Sequence, residues 1–124
     1  MPKVLISDSM SDVAKEILEN NNIEVNINID LSPSELKKII HIYDGLIVRS
    51  ATKATKEIIE AGKKLKIIGR AGAGVDNIDL NYAKKNNIIV MNTPGGNTNA
   101  TAEHTFSLLL TLYKNITLAN KSTH

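Results

Sequence analysis

The chain has 124 residues, enough for one domain with its own apolar core, and its 42% hydrophobic and 23% charged residues are ordinary for a globular fold. It contains no cysteine, which excludes disulfides and thiolate metal sites and fits a reducing cytoplasm, the expected location. A net charge of +2, 3% aromatic residues and no run of ~20 apolar residues argue against nucleic acid or membrane as partner.

The elements follow in chain order. Val4-Leu5-Ile6 predicts a first strand. Ser9 or Ser11 is expected to open a helix with Val13, Ala14, Ile17 and Leu18 inward, ending in Asn20-Asn21-Asn22. Ile23-Glu24-Val25 predicts the second strand. Ser32-Pro33-Ser34-Glu35 then reads as N-cap, N1 proline and N3 glutamate of a helix carrying Leu36, Ile39 and Ile40. Leu46-Ile47-Val48 predicts a third strand, and Thr55 a helix through Ile58 and Ile59 that Gly62 closes at positive φ. After Ile67-Ile68, Asp79 caps a helix with Leu80, Ala83, Lys84 and Lys85, and Ile88-Ile89-Val90-Met91 is the fifth strand.

Consecutive apolar positions mark strands buried on both faces. The fold class is therefore α/β, a flavodoxin-like doubly wound parallel sheet with a long C-terminal helix. That helix is expected from about Asn99 to Ala119, with Ala102, Phe106, Leu109, Leu110, Tyr113 and Ile116 on one stripe and Leu108 and Leu112 outside it. So wide an apolar arc needs protein on more than one side, which predicts a homo-oligomer through this helix.

Ligands of open parallel sheets bind beyond the carboxyl ends of the strands. Three segments there can carry chemistry: Arg49-Ser50-Ala51-Thr52, Arg70 to Asn77, and Asn92 to Asn99. Arg49 and Arg70 supply permanently charged forks for a carboxylate or phosphate. Gly72-Ala73-Gly74 lets main-chain N–H groups approach an anion, and Asn97 precedes a helix N-terminus. Each feature alone also suits an ordinary surface turn or cap; their convergence on one sheet edge predicts a small-anion site. Asn77 stands where a dinucleotide loop has its third glycine, and the three histidines have no ligand-spaced partners, so no metal is expected.

The strings Gly45 to Thr52, Gly69 to Asn77 and Val90 to Pro94 through Ala102-Glu103 resemble, in order and spacing over nearly the whole chain, the NAD-dependent D-2-hydroxyacid dehydrogenases, in particular the branch that oxidises D-3-phosphoglycerate in serine biosynthesis. The resemblance implies a substrate-binding domain over residues 1–98, with 99–124 as the crossover helix toward a nucleotide-binding domain, in an oligomeric two-domain enzyme. It implies that Arg49, Ser50, Arg70, Gly72, Ala73, Gly74 and Asn97 hold the substrate, and that Ala73 and Thr101 lie near NAD. The family's glycine-rich loop and catalytic arginine, glutamate and histidine lie downstream of the matching region, so no catalytic residue is expected here, His104 included. The chain alone is expected to be inactive.

Two rival readings differ in class. A stand-alone small-anion binding or regulatory module would need no catalysis. A signalling receiver domain shares the βα order, but it requires an acceptor aspartate after the third strand and a lysine after the fifth, where this chain has Arg49-Ser50 and Asn92.

Overall fold

The structure, a computed structural model, describes residues 2–9, 12–71 and 74–92. The elements are β1 (Lys3–Ile6), α1 (Val13–Asn20), β2 (Glu24–Ile27), α2 (Pro33–Ile39) running into a 3-10 turn (Ile40–Ile42), β3 (Gly45–Val48), α3 (Lys56–Ala61), β4 (Ile67–Arg70), α4 (Leu80–Lys85) and β5 (Ile89–Asn92). The five strands are all parallel, in the order β2-β1-β3-β4-β5. The expected long C-terminal helix, and with it the oligomer contact, lies outside the described residues.

Alternation along each strand divides the core in two. Leu5, Leu46, Val48 and Ile68 face Leu36, Ile40, Ile58, Ile59 and Ala83 on one side, where α2, α3 and α4 pack. Val4, Ile6, Val25, Ile47 and Ile67 face Ala14 and Leu18 of α1 on the other. Covering both faces of the sheet explains why the strands read as continuous apolar runs.

Local chemistry sets the helix starts. At α2 the Ser32 hydroxyl accepts from Glu35 N–H at 3.2 Å, the Glu35 carboxyl accepts from Ser32 N–H at 3.4 Å, and Pro33 occupies N1. Thr55 caps α3 through Ile58 N–H, and Asp79 caps α4 through Tyr82 N–H at 3.0 Å. The opening of α1 differs from expectation. Its N-cap position is Asp12, without a side-chain capping bond, and the Asp12 carbonyl accepts from Glu16 N–H at 3.1 Å. Ser9 is not the cap, and Ser11 lies outside the described residues.

Helix ends shift two strands by one residue. Asn22 and Asn87 adopt left-handed φ of 64° and 60°, and the next residues, Ile23 and Ile88, donate back to Leu18 and Ala83 carbonyls. Ile23 and Ile88 thus finish helices, and the strands begin at Glu24 and Ile89. Gly62 also departs from expectation: its φ is −80°, not positive. Its N–H donates to Ile58 and Ile59 carbonyls, and a Cβ there would stand 3.0 Å from Leu65 Cβ, so close packing rather than handedness calls for glycine.

Candidate functional site

The carboxyl ends of β1, β3 and β4 lie side by side, because β3 pairs with both neighbours and Val48 is in register with Arg70. Arg49 and Ser50 follow directly from β3 and are exposed; Arg70 ends β4. The Arg49 guanidinium reaches toward β1, where Nη1 donates to Ser9 O at 3.0 Å. The Arg70 side chain is only 12% exposed and turns to Asp76, which accepts from its Nη1 at 2.5 Å. Gly74, at φ +84°, precedes Asp76 by two residues. The guanidinium holds the Asp76 carboxyl below the usual carboxylate range, chiefly through this hydrogen bond. Arg70 Nε is buried and has no acceptor among the described residues.

Arg49, Ser50, Arg70 and Gly74 therefore share one rim of the sheet. Gly72, Ala73, Asn97 and Thr101 lie outside the described residues. The two arginines are connected through consecutive residues: Asn77 Nδ2 donates to Arg49 O at 2.6 Å, and Asp76 binds Arg70. Their guanidiniums take different partners in this structure, one toward the β1 loop and one toward the β4 loop. An open groove of about 670 Å³ lies between residues 50–57 and 76–79. Its walls mix Lys53 and Lys56 with Glu57, Asp76 and Asp79, and neither arginine lines it.

Sequence reasoning missed the residues that organise this rim. Asp8, which follows β1, is one of two buried polar residues in the described core, with Ser7. Its Oδ2 accepts from Arg49 N–H at 2.6 Å and Thr52 N–H at 2.9 Å, and its Oδ1 from the Thr52 hydroxyl at 2.6 Å. Ser7 Oγ and Thr52 Oγ1 lie 3.0 Å apart. Asn77, noted only as an interruption of a glycine pattern, also donates to Thr52 O at 2.6 Å. A usable signal was present: polar Ser7-Asp8 directly after the apolar run Val4-Leu5-Ile6, at the carboxyl edge of the sheet.

The described residues do not form a dinucleotide cradle. The side chain at the third glycine position, Asn77, is committed to two loop carbonyls, and the rim offers arginine forks suited to a compact anion. Among these residues no cluster could hold a metal ion, and no helix is long and apolar enough to cross a membrane.

A parallel five-stranded α/β domain with cationic forks at the carboxyl edge defines a class, the small-ligand domains of open twisted sheets. The chain belongs to the D-isomer specific 2-hydroxyacid dehydrogenase family and matches its catalytic domain over residues 4–122. It is 48% identical over 122 residues to the D-3-phosphoglycerate dehydrogenase of Synechocystis, covering 98% of this chain and 22% of that protein. It is 45% identical over 120 residues to the D-3-phosphoglycerate dehydrogenase of Archaeoglobus fulgidus, covering 97% of this chain and 23% of the relative. Among solved structures, the NAD+-bound 3-phosphoglycerate dehydrogenase of Entamoeba histolytica superposes with a TM-score of 0.70 at 40% identity, over 76% of this chain and 33% of that one. The chain thus spans less than a quarter of the length of these curated relatives.

Proposed function

We propose that this chain is the substrate-binding part of an NAD-dependent D-3-phosphoglycerate dehydrogenase, the cytoplasmic oxidoreductase of the first step of serine biosynthesis. Residues 1–98 form the substrate domain, and 99–124 lead as a helix toward a nucleotide-binding domain that holds most of the NAD and the catalytic groups. Arg49, Ser50, Arg70, the Gly72-Ala73-Gly74 turn and Asn97 receive the carboxylate and phosphate of the substrate, with Ala73 and Thr101 nearest the cofactor. The active form is an oligomer, and the 124-residue chain alone turns over no substrate.

The observation that carries this reading is the rim itself. Arg49 and Arg70 leave the ends of adjacent strands, and Arg70 Nε stands buried without an acceptor among the described residues. A buried donor without a partner is costly, and an incoming oxyanion satisfies it. The likeness to D-3-phosphoglycerate dehydrogenases supports the choice of that oxyanion.

Titration of the chain with D-3-phosphoglycerate, followed by NMR, tests the reading. Shifts confined to the rim and abolished by Arg70→Ala are expected; shifts elsewhere, or none, overturn it. Tight binding by the isolated chain would instead favour a stand-alone anion module, because half of a cleft binds weakly.

A further inference from the structure

The loop after β3 is held in an unusual way. Two of its residues, Arg49 and Thr52, have both main-chain polar groups taken by side chains of neighbouring loops. Their N–H groups donate to one oxygen of Asp8, from the β1 end, at 2.6 and 2.9 Å. Their carbonyls accept from one nitrogen of Asn77, from the β4 end, both at 2.6 Å. Asp8 is 6% exposed and is gripped a third time by the Thr52 hydroxyl. A carboxyl buried so deeply is costly unless its acceptors are satisfied, and here they are met by the loop, with no cation paired to it among the described residues. Asn77 can serve only in the orientation observed, since a flipped amide would set its oxygen against two carbonyl oxygens.

We infer that Asp8 and Asn77 are positioning residues for substrate recognition, clamping the 49–52 loop from both sides so that the Arg49 guanidinium and Ser50 hydroxyl stand where an anion meets them. The inference rests on the proposed role of this rim in holding substrate. Neither residue needs to touch the ligand. The N–H groups of Arg49 and Thr52 face Asp8 and are not available to an anion, so the loop's contribution comes from side chains whose placement depends on the clamp. Loss of either side of the clamp frees the loop main chain while leaving both apolar cores unaltered.

The test compares wild type with Asp8→Ala, Asp8→Asn, Asn77→Asp and Thr52→Ser. Affinities for D-3-phosphoglycerate and for inorganic phosphate are read by NMR titration, and hydrogen exchange is read at the Arg49 and Thr52 amides. Asp8→Ala and Asn77→Asp are expected to weaken 3-phosphoglycerate binding about ten-fold or more, because small displacements of a binding group cost affinity steeply. Both should speed exchange at those two amides. Asp8→Asn keeps an oxygen for both N–H donors, and Thr52→Ser keeps the hydroxyl, so both should bind nearly as wild type. A merely structural role would lower the melting temperature yet leave folded molecules binding normally. Folded Asp8→Ala or Asn77→Asp with wild-type affinity overturns the inference alone; if Asp8→Ala does not fold, Asn77→Asp and the two conservative variants decide it. A wild-type chain that binds neither probe overturns the proposed function and the inference with it.

Discussion

Arg70 and Asp76, six residues apart, close a loop upon themselves: the Arg70 Nη1 donates to Asp76 Oδ1 at 2.5 Å, with the aspartate side chain 89% exposed and the arginine largely buried. The carboxylate stands where a ligand carboxylate or phosphate would compete for the same fork. Asp76→Asn removes the negative charge of that competitor and keeps its shape. We expect binding of 3-phosphoglycerate to tighten by a few-fold, roughly the effect of removing one screened like charge. Weaker binding in the variant would show that Asp76 aims Arg70 rather than competing for it.

The same pair sets a pH dependence. Arg70 lowers the Asp76 pKa in the folded chain, chiefly by hydrogen bonding, so the folded state binds its proton less readily than the unfolded state. The resulting stabilisation is present above the usual carboxylate range and is lost as pH falls through the depressed folded value. In urea unfolding, wild type should exceed Asp76→Asn in stability at neutral pH, and the two should converge in strong acid. The aspartate is exposed, so the gap should also shrink at high salt. A gap unchanged by acid would contradict this account.

Gly62 gives a steric prediction. At φ −80° alanine meets no backbone penalty, but its Cβ would lie 3.0 and 3.2 Å from Leu65 Cβ and Cδ2. Gly62→Ala is expected to destabilise the chain by about 1–3 kcal/mol, the usual range for overpacking. Denaturant midpoints check this, and in a Leu65→Gly background, which lacks both contacting carbons, the alanine at 62 should be better tolerated than it is alone. An unchanged penalty would place the strain elsewhere.

Ile68 lies in the middle of β4, fully buried between β3 and β5. Ile68→Ala removes methyl groups from the face packed by α3 and α4 and should cost about 2–5 kcal/mol. The loss is expected as a lower urea midpoint at unchanged slope.

Much of the fold was readable because its determinants are local or periodic. Ser32-Pro33-Ser34-Glu35, Thr55 and Asp79 act on amides within three residues, so their capping roles show in a short window. Apolar pairs such as Leu46-Ile47 mark a strand buried on both sides, and βα alternation restricts the topologies available. The rim was legible in part: Arg49 and Arg70 could be assigned to strand ends, but not their different partners. Asp8 was missed because its acceptors meet groups 41 and 44 residues downstream. Asn77 was missed because its targets lie 28 and 25 residues upstream. Gly62 misled for another reason: its neighbour Leu65 limits space, and a glycine's spacing cannot separate a steric need from a left-handed turn.

The grip on Arg49 and Thr52 also divides the labour within one short loop. Those two residues are bound to the scaffold at amide and carbonyl alike, whereas Ser50 and Ala51 between them are exposed. Side chains at 50 and 51 can thus be exchanged without rebuilding the frame that displays them; if the rim holds substrate as proposed, this dipeptide is an interchangeable cartridge for retuning ligand preference.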